Sequence, residues 1–453
     1  MILYDSEREL LNRLSGNLAR YSCSNKEKYR YYEGTAVVRN LEIAVPATLS
    51  NIGVAVGWPA TTVDVQAERI GFLRWTGTEN TLLSPLEEIT QNSDFDVEFS
   101  NTVIDSLLAG VAFMQVTAGE NGVEISAVSP SSATGDYDPQ TRLLSTGYQT
   151  LTDPVSGVVT EYLYTPEETI VLEDGAVVER LPNVLGRVPL VRFGNKIHAS
   201  HMEGRSEITP TIRYCTDHAI RTMLGMEINR EFYTTPQRWA MNADMSQFGV
   251  DEDSPVEERR RKGWEATAGR MLALPPNGDG TSPMVGQFTA APPTPYIEEL
   301  RCLSQMVAAE AALPASYFGF TTANPTSADA IRLEEVRLLK RVEDKQRYWR
   351  RPMREIARIA LGFHYGELVD ETVLNGLGVQ WLDPAAPTNA ATADEVVKLV
   401  GAGVIPATSK YVLDRLRMSD ADRGVLEKER RADNVLKLTQ QGLVAKPVAK
   451  GSE

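Results

Sequence analysis

The chain has 453 residues, of which 42% are hydrophobic and 24% are charged, which is enough for two to four packed domains. Its formal net charge of −15 excludes a protein that grips nucleic acid over its whole surface, so any contact with DNA must be local. Three widely spaced cysteines give neither a disulfide framework nor a cysteine zinc cluster. The N-terminus lacks a signal-peptide core and no window approaches ~18 consecutive apolar residues, so we expect a soluble cytoplasmic product.

The first half of the chain predicts helices followed by an antiparallel β region. Four leucines at helical spacing indicate a helix over residues 1–34: Leu10, Leu11, Leu14 and Leu18. A second helical stretch, 51–69, is broken at Trp58-Pro59. Residues 111–195 alternate apolar and polar side chains between short turn sequences, namely Asn121-Gly122, Asp153-Pro154 and Asp174-Gly175. This part is therefore expected to form an antiparallel sheet.

The second half predicts long helices. Ser206 is the expected N-cap of a helix with Pro210 in its first turns, and another helix is expected from about Tyr296 to Ala312. Residues 241–294 between them are rich in loop formers and hold adjacent acidic and basic patches. An aromatic loop follows, and a long helix is then expected from Thr326 or Ser327, with a kink at Pro352. Two or three short helices are expected over 393–443 and a disordered tail after them.

Signatures of catalysis and metal binding are weak. His198 and His201 form a His-x-x-His pair in a loop without a third ligand nearby, so solvated histidines are favoured over a metal site. The sequence has neither a G-x-S-x-G elbow nor a phosphate-binding G-x-x-x-x-G-K-[ST] loop. No cofactor is therefore expected. A hydrolase that gathers carboxylates with His198 or His201 stays the alternative from another functional class, and the chain is not expected to be an enzyme.

The charge distribution has one anomaly, which lies in the long helix. Residues 327–358 hold ten Lys or Arg against six acidic residues, although the whole chain is strongly acidic. A solvated helix face with pairs such as Glu343 and Arg347 is one interpretation. The other is transient contact with DNA phosphates, which position a duplex without reading its sequence. The candidate DNA-backbone contacts are Lys340, Arg341, Lys345 and Arg347.

Taken in order, several stretches resemble the portal protein (head-tail connector) family of tailed bacteriophages, of the long-tailed siphovirus type. The stretches that resemble it are Tyr31-Tyr-Glu-Gly34, Gly57-Trp58-Pro59 with Glu68-Arg69, Gly204-Arg-Ser-Glu-Ile208, Ala312-Leu-Pro-Ala-Ser-Tyr-Phe-Gly319 and Asn324-Pro-Thr-Ser-Ala-Asp-Ala-Ile331. Taken together and in order, these stretches are distributed along most of the chain. The resemblance implies an α+β portal fold that is mainly helical, with long stem and tunnel helices, an antiparallel β region in the wing and a helical C-terminal crown.

The resemblance also implies a division of the chain into functional parts. These are a wing (1–205), a stem helix (206–240), a clip (241–294), a second stem helix (295–313), a tunnel loop (314–327), a long tunnel and wing helix with its return (328–384), and a crown with a flexible tail (385–453). The candidate tunnel-loop residues are Tyr317, Phe318, Phe320, Thr321, Thr322 and Asn324. The candidate clip contacts are Arg259, Arg260, Arg261 and Lys262.

On this resemblance the function is a ring at one capsid vertex through which double-stranded DNA is packaged and ejected. The implied partners are other copies of the chain, in a ring expected to be dodecameric, and double-stranded DNA without sequence specificity. They also include the terminase large subunit, head-tail adaptor proteins, and the major capsid and scaffolding proteins, but no membrane. The protein is expected in the virion, after assembly in the host cytoplasm. Another capsid-associated structural protein is the alternative within this class.

Overall fold

A computed structural model provides the structure of the chain. It describes residues 2–36, 54–77, 80–119, 122–234, 238–243, 253–259, 261–262, 276, 280–289, 292–319, 328–385, 389–407, 409–416, 418 and 422–432. The chain divides into two compact units, residues 1–384 and 385–453, which are described separately. Three sequence predictions lie wholly or partly outside the described residues: the 51–69 helix before residue 54, the 393–443 helical region after residue 432, and the tail from Lys446 to Glu453.

The helices of the first unit are α1 (Asp5–Tyr32), α2 (Trp58–Ala67), α3 (Asn80–Asn92), α4 (Phe95–Ala109), α5 (Pro210–Thr234), α6 (Thr294–Ala311), α7 (Ala328–Tyr365) and the short α8 (Glu371–Leu374). Of these helices, those within residues 80–109 and 371–374 were not predicted from the sequence. Helix α2 begins at the predicted break, because Pro59 fits the first turn, where its missing N–H costs nothing. A turn of 3₁₀ helix, Ala315–Phe318, follows α6.

The start of α5 differs from the prediction. The predicted cap of α5 is wrong, because Ser206 accepts a hydrogen bond from the backbone N–H of Ile208, outside the helix, while Thr209 directly precedes Pro210 and accepts from the N–H of Ile212. The N-cap is therefore Thr209, and the helix begins at Pro210. Pro352 lies inside α7, which continues on both sides of it.

The strands form antiparallel sheets, as the alternation predicted. They are β1 (Phe72–Thr76), β2 (Val111–Gly119), β3 (Gly122–Val128), β4 (Ala133–Asp138), β5 (Leu143–Thr152), β6 (Val159–Tyr164), β7 (Glu168–Glu173), β8 (Ala176–Pro182), β9 (Leu190–Gly194), β10 (Arg238–Met241), β11 (Met284–Gln287) and β12 (Gly378–Trp381). One sheet has the order β3-β2-β9 and a second the order β4-β5-β6-β7-β8; β1 pairs with β12, and β10 with β11. Asp174 and Gly175 both have positive φ, which gives the two-residue turn that joins β7 to β8.

The main core of the first unit is built around α7. Its buried apolar residues have helical spacing, with the buried Lys345 in the step from Val342 to Trp349: Leu338, Val342, Trp349, Met353, Ile356 and Ala360. Trp349 packs edge-on against Phe99 and Phe193, and its indole N–H donates to the carbonyl of Gly194 over 3.0 Å. The long helix is thereby fixed against both α4 and the end of β9.

The second unit is smaller and helical. It contains α9 (Asn389–Gly401) and α10 (Lys410–Arg415), and residues 422–432 are also helical. Arg415 lies 3.2 Å from Glu395, which links α10 to α9. The unit starts at the boundary that the family resemblance gave for the crown.

Candidate functional site

A buried carboxylate, Glu207, lies in the segment between β9 and α5 and contacts the basic part of α7. Its side chain is 1% exposed. The Nζ atoms of Lys345 and Lys196 lie 2.7 Å and 2.8 Å from its oxygens, and Asn195 donates an amide N–H over 3.0 Å. Burial would raise the pKa of Glu207, but the two ammonium groups outweigh it and hold that pKa well below its usual range. Glu207 is therefore ionised and joins α7 to the segment after β9.

The loop that carries Glu207 is itself held by backbone contacts. The N–H of Glu207 donates to the carbonyl of Leu107, and the N–H of Arg205 donates to that of Asn195, each over 2.8 Å. Gly204 has φ +82°, and a Cβ there would come within 2.1 Å of the Gly110 carbonyl oxygen, so the position needs glycine. These contacts give a physical reason for the stretch Gly204-Arg-Ser-Glu-Ile208.

The four candidate DNA contacts of α7 fall into two groups. Lys345 is 6% exposed and pairs with Glu207, so its prediction as a DNA contact is wrong: phosphates cannot reach it in this fold. Arg341 is partly buried and donates to the carbonyls of Ala311 and Glu310, which fastens α7 to the end of α6. Lys340 and Arg347 are exposed, and Arg347 forms a surface pair with Asp344.

The predicted tunnel loop is described only at its start. Tyr317 donates to Glu335 of α7 over 2.8 Å, and Arg69 donates to both, over 2.9 Å to the Tyr317 hydroxyl and 2.8 Å to Glu335. Phe318 is 5% exposed and meets Trp58 edge-on, so the expectation that it lies in a channel is wrong, because it belongs to the core. The other candidates lie outside the described residues: Phe320, Thr321, Thr322 and Asn324.

The tyrosines at the end of α1 bind three helices. Each donates its hydroxyl to one aspartate, and the pairs are Tyr29 with Asp105 of α4 (2.5 Å), Tyr31 with Asp217 of α5 (2.8 Å) and Tyr32 with Asp64 of α2 (2.8 Å). Burial and the neighbouring carboxylate raise the pKa of Tyr31 and of Tyr32 to about 12. The tyrosine-dense run, expected to serve packing, thus also supplies specific hydrogen bonds.

The candidate clip and histidine residues make local contacts. Arg259 donates to the carbonyl of Ser254, and Arg261 lies 4.0 Å from Glu258, while Arg260 is outside the described residues. His198 and His201 face each other across a β-bridge, and Nδ1 of His198 lies 3.0 Å from the Ser200 hydroxyl. In the part of the chain that the structure describes, no group of three or more His, Cys, Asp or Glu is placed to hold a metal ion.

A second basic feature lies further along α7. Its arginines were not among the candidate DNA contacts, apart from Arg347. Arginines at intervals of three and four residues line an open groove of about 740 Å³ against the turns of the five-stranded sheet; they are Arg347, Arg350, Arg351, Arg354 and Arg358. The i, i+3, i+4 spacing is the sequence signal that could have identified them as one helix face. We call this the arginine groove.

The comparisons with known proteins agree with one another. The sequence profile of the family described as "Phage portal protein, SPP1 Gp6-like" matches residues 16–432. The chain is 30% identical to the portal protein of Mycobacterium phage L5 and 29% identical to that of Mycobacterium phage D29, in each case over 83% of this chain and 79% of the relative.

Solved structures that this chain resembles come from gene transfer agent (GTA) particles. One is the neck of an empty GTA particle, at 13% identity and a TM-score of 0.45, covering 83% of this chain and 94% of the other. Another is the virion of a native GTA particle, at 13% identity and a TM-score of 0.44, covering 79% of this chain and 89% of the other. No helix in the described residues is both long and apolar enough to cross a membrane.

Proposed function

The chain belongs to the SPP1 Gp6-like family of phage portal proteins, a ring-forming component of the virion, and from this membership we propose that it forms a dodecameric ring at one capsid vertex. Double-stranded DNA passes through the ring during packaging and ejection. The chain performs no chemistry on that DNA and is a conduit and a docking surface. The observation that carries the proposal is the family match over residues 16–432.

The packing of the helices on either side of the clip supports the stem assignment. Thr222 of α5 donates to Glu299 of α6 over 3.1 Å, and His218 lies 3.1 Å from the same carboxylate. The two helices thus pack together although the 241–294 insertion separates them in sequence. A subunit that offers extended helices rather than a pocket suits the heterologous contacts that close a ring.

DNA contact is proposed for the exposed cations near the tunnel loop. With Lys345 and Arg341 engaged in the fold, Lys340 and Arg347 are the remaining candidates on α7. Contacts of this kind bind the phosphate backbone and carry no sequence information. The net charge of −15 of the whole chain keeps DNA from adhering, so the duplex can move.

The clip is proposed to dock the terminase large subunit during packaging and the head-tail adaptors afterwards, through Arg259, Arg260, Arg261 and Lys262. Major capsid and scaffolding proteins are the proposed partners of the remaining outer surface, with assembly in the host cytoplasm. A cluster of basic side chains suits acidic partner surfaces, since complementary charge raises the association rate and selects partners.

Electron microscopy of the purified chain and of particles tests the proposal. Rings are expected in purified protein or at one vertex of the particle, and a chain that stays monomeric in both would overturn the ring. The double reversal Lys340→Glu and Arg347→Glu is expected to leave rings intact and to lower the packaged DNA severalfold. The control is Lys26→Glu with Arg30→Glu, two exposed cations of α1. Equal packaging in both variants would contradict the DNA contact.

A further inference from the structure

The arginine groove has a composition that the channel function does not use. Its cationic residues are all arginines: Arg187 from the loop before β9 joins the five arginines of α7. Guanidinium groups are planar and bind carboxylates or phosphates through two parallel hydrogen bonds, which ammonium groups cannot do. The α7 arginines span eleven residues, about 16 Å of helix. They form a continuous row of donors on one face.

The charges in the groove are not balanced. Three carboxylates, Asp138, Glu355 and Glu371, stand among six arginines. Arg187 is 3.4 Å from Glu355, and burial raises the pKa of Glu355 despite the neighbouring arginines. Asp138 already accepts hydrogen bonds from its own turn, from the N–H groups of Gln140 and Thr141. Arg347 also has an ion pair, with Asp344 at 3.2 Å. The other four arginines have no carboxylate at ion-pair distance in the described part of the chain: Arg350, Arg351, Arg354 and Arg358.

Arg350 and Arg354 are the available members of the row. Arg358 donates to the carbonyl of Val369 and Arg351 to that of Thr141, so both are held by backbone. Arg350 and Arg354 are exposed and pair with no carboxylate in the described part of the chain. Two neighbouring guanidinium groups without acceptors make a strong oxyanion site.

A smaller cavity beside the same two arginines strengthens this point. Arg350 and Arg354 also line a space of about 180 Å³ together with Trp75, Thr76 and residues 377–379, and none of these described lining residues is acidic. Trp75 is 2% exposed, and its indole N–H is buried without an acceptor in the structure. A buried donor without a partner costs free energy, which an incoming oxygen would recover. The site lacks acceptors and has donors in excess.

From these observations we infer that the arginine groove binds an acidic polypeptide segment of a partner protein, with carboxylates on Arg350 and Arg354. Leu143 also lines the groove and is partly exposed, so it offers a contact for an apolar side chain of such a segment, whereas Leu144 and Val188 of the lining are buried. A groove of about 740 Å³ is of the size that encloses a compact ligand. A DNA duplex is too wide to enter it and would meet only the rim. Arg347 lines the groove and is also a proposed DNA contact, so the inference rests on Arg350 and Arg354, which are not proposed to contact DNA.

Fluorescence anisotropy with the full chain tests this inference. The probe is a labelled peptide of alternating Glu and Leu, and its binding is expected to weaken at least tenfold in the variant Arg350→Ala with Arg354→Ala. The matched control is Lys26→Ala with Arg30→Ala, also exposed cations four residues apart on a helix, and should bind as the wild type does. Arg350→Lys with Arg354→Lys should show an intermediate loss, because charge remains without the planar fork.

Several outcomes would overturn the inference. They are absence of peptide binding by the wild-type chain, equal loss in the control variant, or tighter binding of a DNA duplex than of the peptide with the same dependence on Arg350 and Arg354. If the arginine variant loses rings while the wild type ignores the peptide, the occupant is a second copy and the inference is also wrong. Unfolding curves of each variant confirm folding, which the exposure of both arginines is expected to preserve.

Discussion

The Nζ atom of Lys345 lies 2.7 Å from Oε1 of Glu207, and both side chains are almost completely withdrawn from solvent. Lys196 meets the second carboxylate oxygen at 2.8 Å. One buried and one partly exposed ammonium group thus depend on this carboxylate, which lies in the segment between β9 and α5. The middle of the long helix is positioned by this ionic contact as well as by the apolar stripe.

Replacing Glu207 by Gln is expected to lower the free energy of unfolding by about 3–5 kcal/mol, because it leaves the buried ammonium group of Lys345 without its counterion. Urea denaturation followed by circular dichroism measures the change. Glu343→Gln, which removes an exposed carboxylate of α7, should change stability by less than about 0.5 kcal/mol. A loss below 1 kcal/mol for Glu207→Gln would mean that the buried pair does not fix the helix.

The same pair predicts a pH dependence. The pKa of Glu207 is held below its ordinary value of 4.5 in the folded chain, so the unfolded state binds a proton first as the pH falls. Its contribution is therefore fully present well above pH 4.5 and is lost as the pH falls through the lower folded value. The stability difference between wild type and Glu207→Gln should narrow between about pH 6 and pH 3. A constant difference over that range would contradict the depressed pKa.

Tyr29→Phe is expected to destabilise the first unit by about 1–3 kcal/mol, since the Asp105 carboxylate would lose a buried donor at 2.5 Å. Burial raises the pKa of Asp105, and the hydroxyl of Tyr29 counteracts that rise. The variant should therefore also take up a proton at Asp105 at higher pH. Tyr348→Phe, at an exposed tyrosine of α7, is the control for thermal unfolding and should match the wild type.

Periodicity predicted the elements well because it reports burial directly, as the strands of residues 111–194 and the stripe of α7 show. The partners of the charged side chains were harder to predict from the sequence, because these pairs depend on tertiary contacts. Lys345 follows Val342 by three residues and precedes Trp349 by four, so its spacing placed it on the buried face, but its charge suggested an exposed role. The sequence around Glu207 did not indicate an ion pair, because its counterions are distant along the chain. Lys345 lies 138 residues away and Lys196 lies 11 residues away.

The hydrogen bonds of Tyr317 with Arg69 and Glu335 are expected to fix the position of the first residues of the proposed tunnel loop. Tyr317→Phe removes the hydroxyl that accepts from Arg69 and donates to Glu335. The 3₁₀ turn Ala315–Phe318 would then lose its hydrogen bond to Glu335 of α7 and would be held to α2 by Phe318 against Trp58. Since Tyr317 is about one-third exposed, the expected loss of stability is small, about 0.5–1 kcal/mol.

Hydrogen exchange measures this effect locally. Amides of the 3₁₀ turn should exchange severalfold faster in Tyr317→Phe, while ring formation stays normal and DNA retention falls, because the loop leaves a less firmly fixed base. The control is Tyr365→Phe, at the far end of α7. It removes a hydroxyl that donates to the Thr81 carbonyl of α3 and should leave exchange at the turn unchanged. If both variants exchange alike at the turn, the Arg69, Tyr317 and Glu335 contact does not anchor the loop, and DNA retention should then also match the wild type.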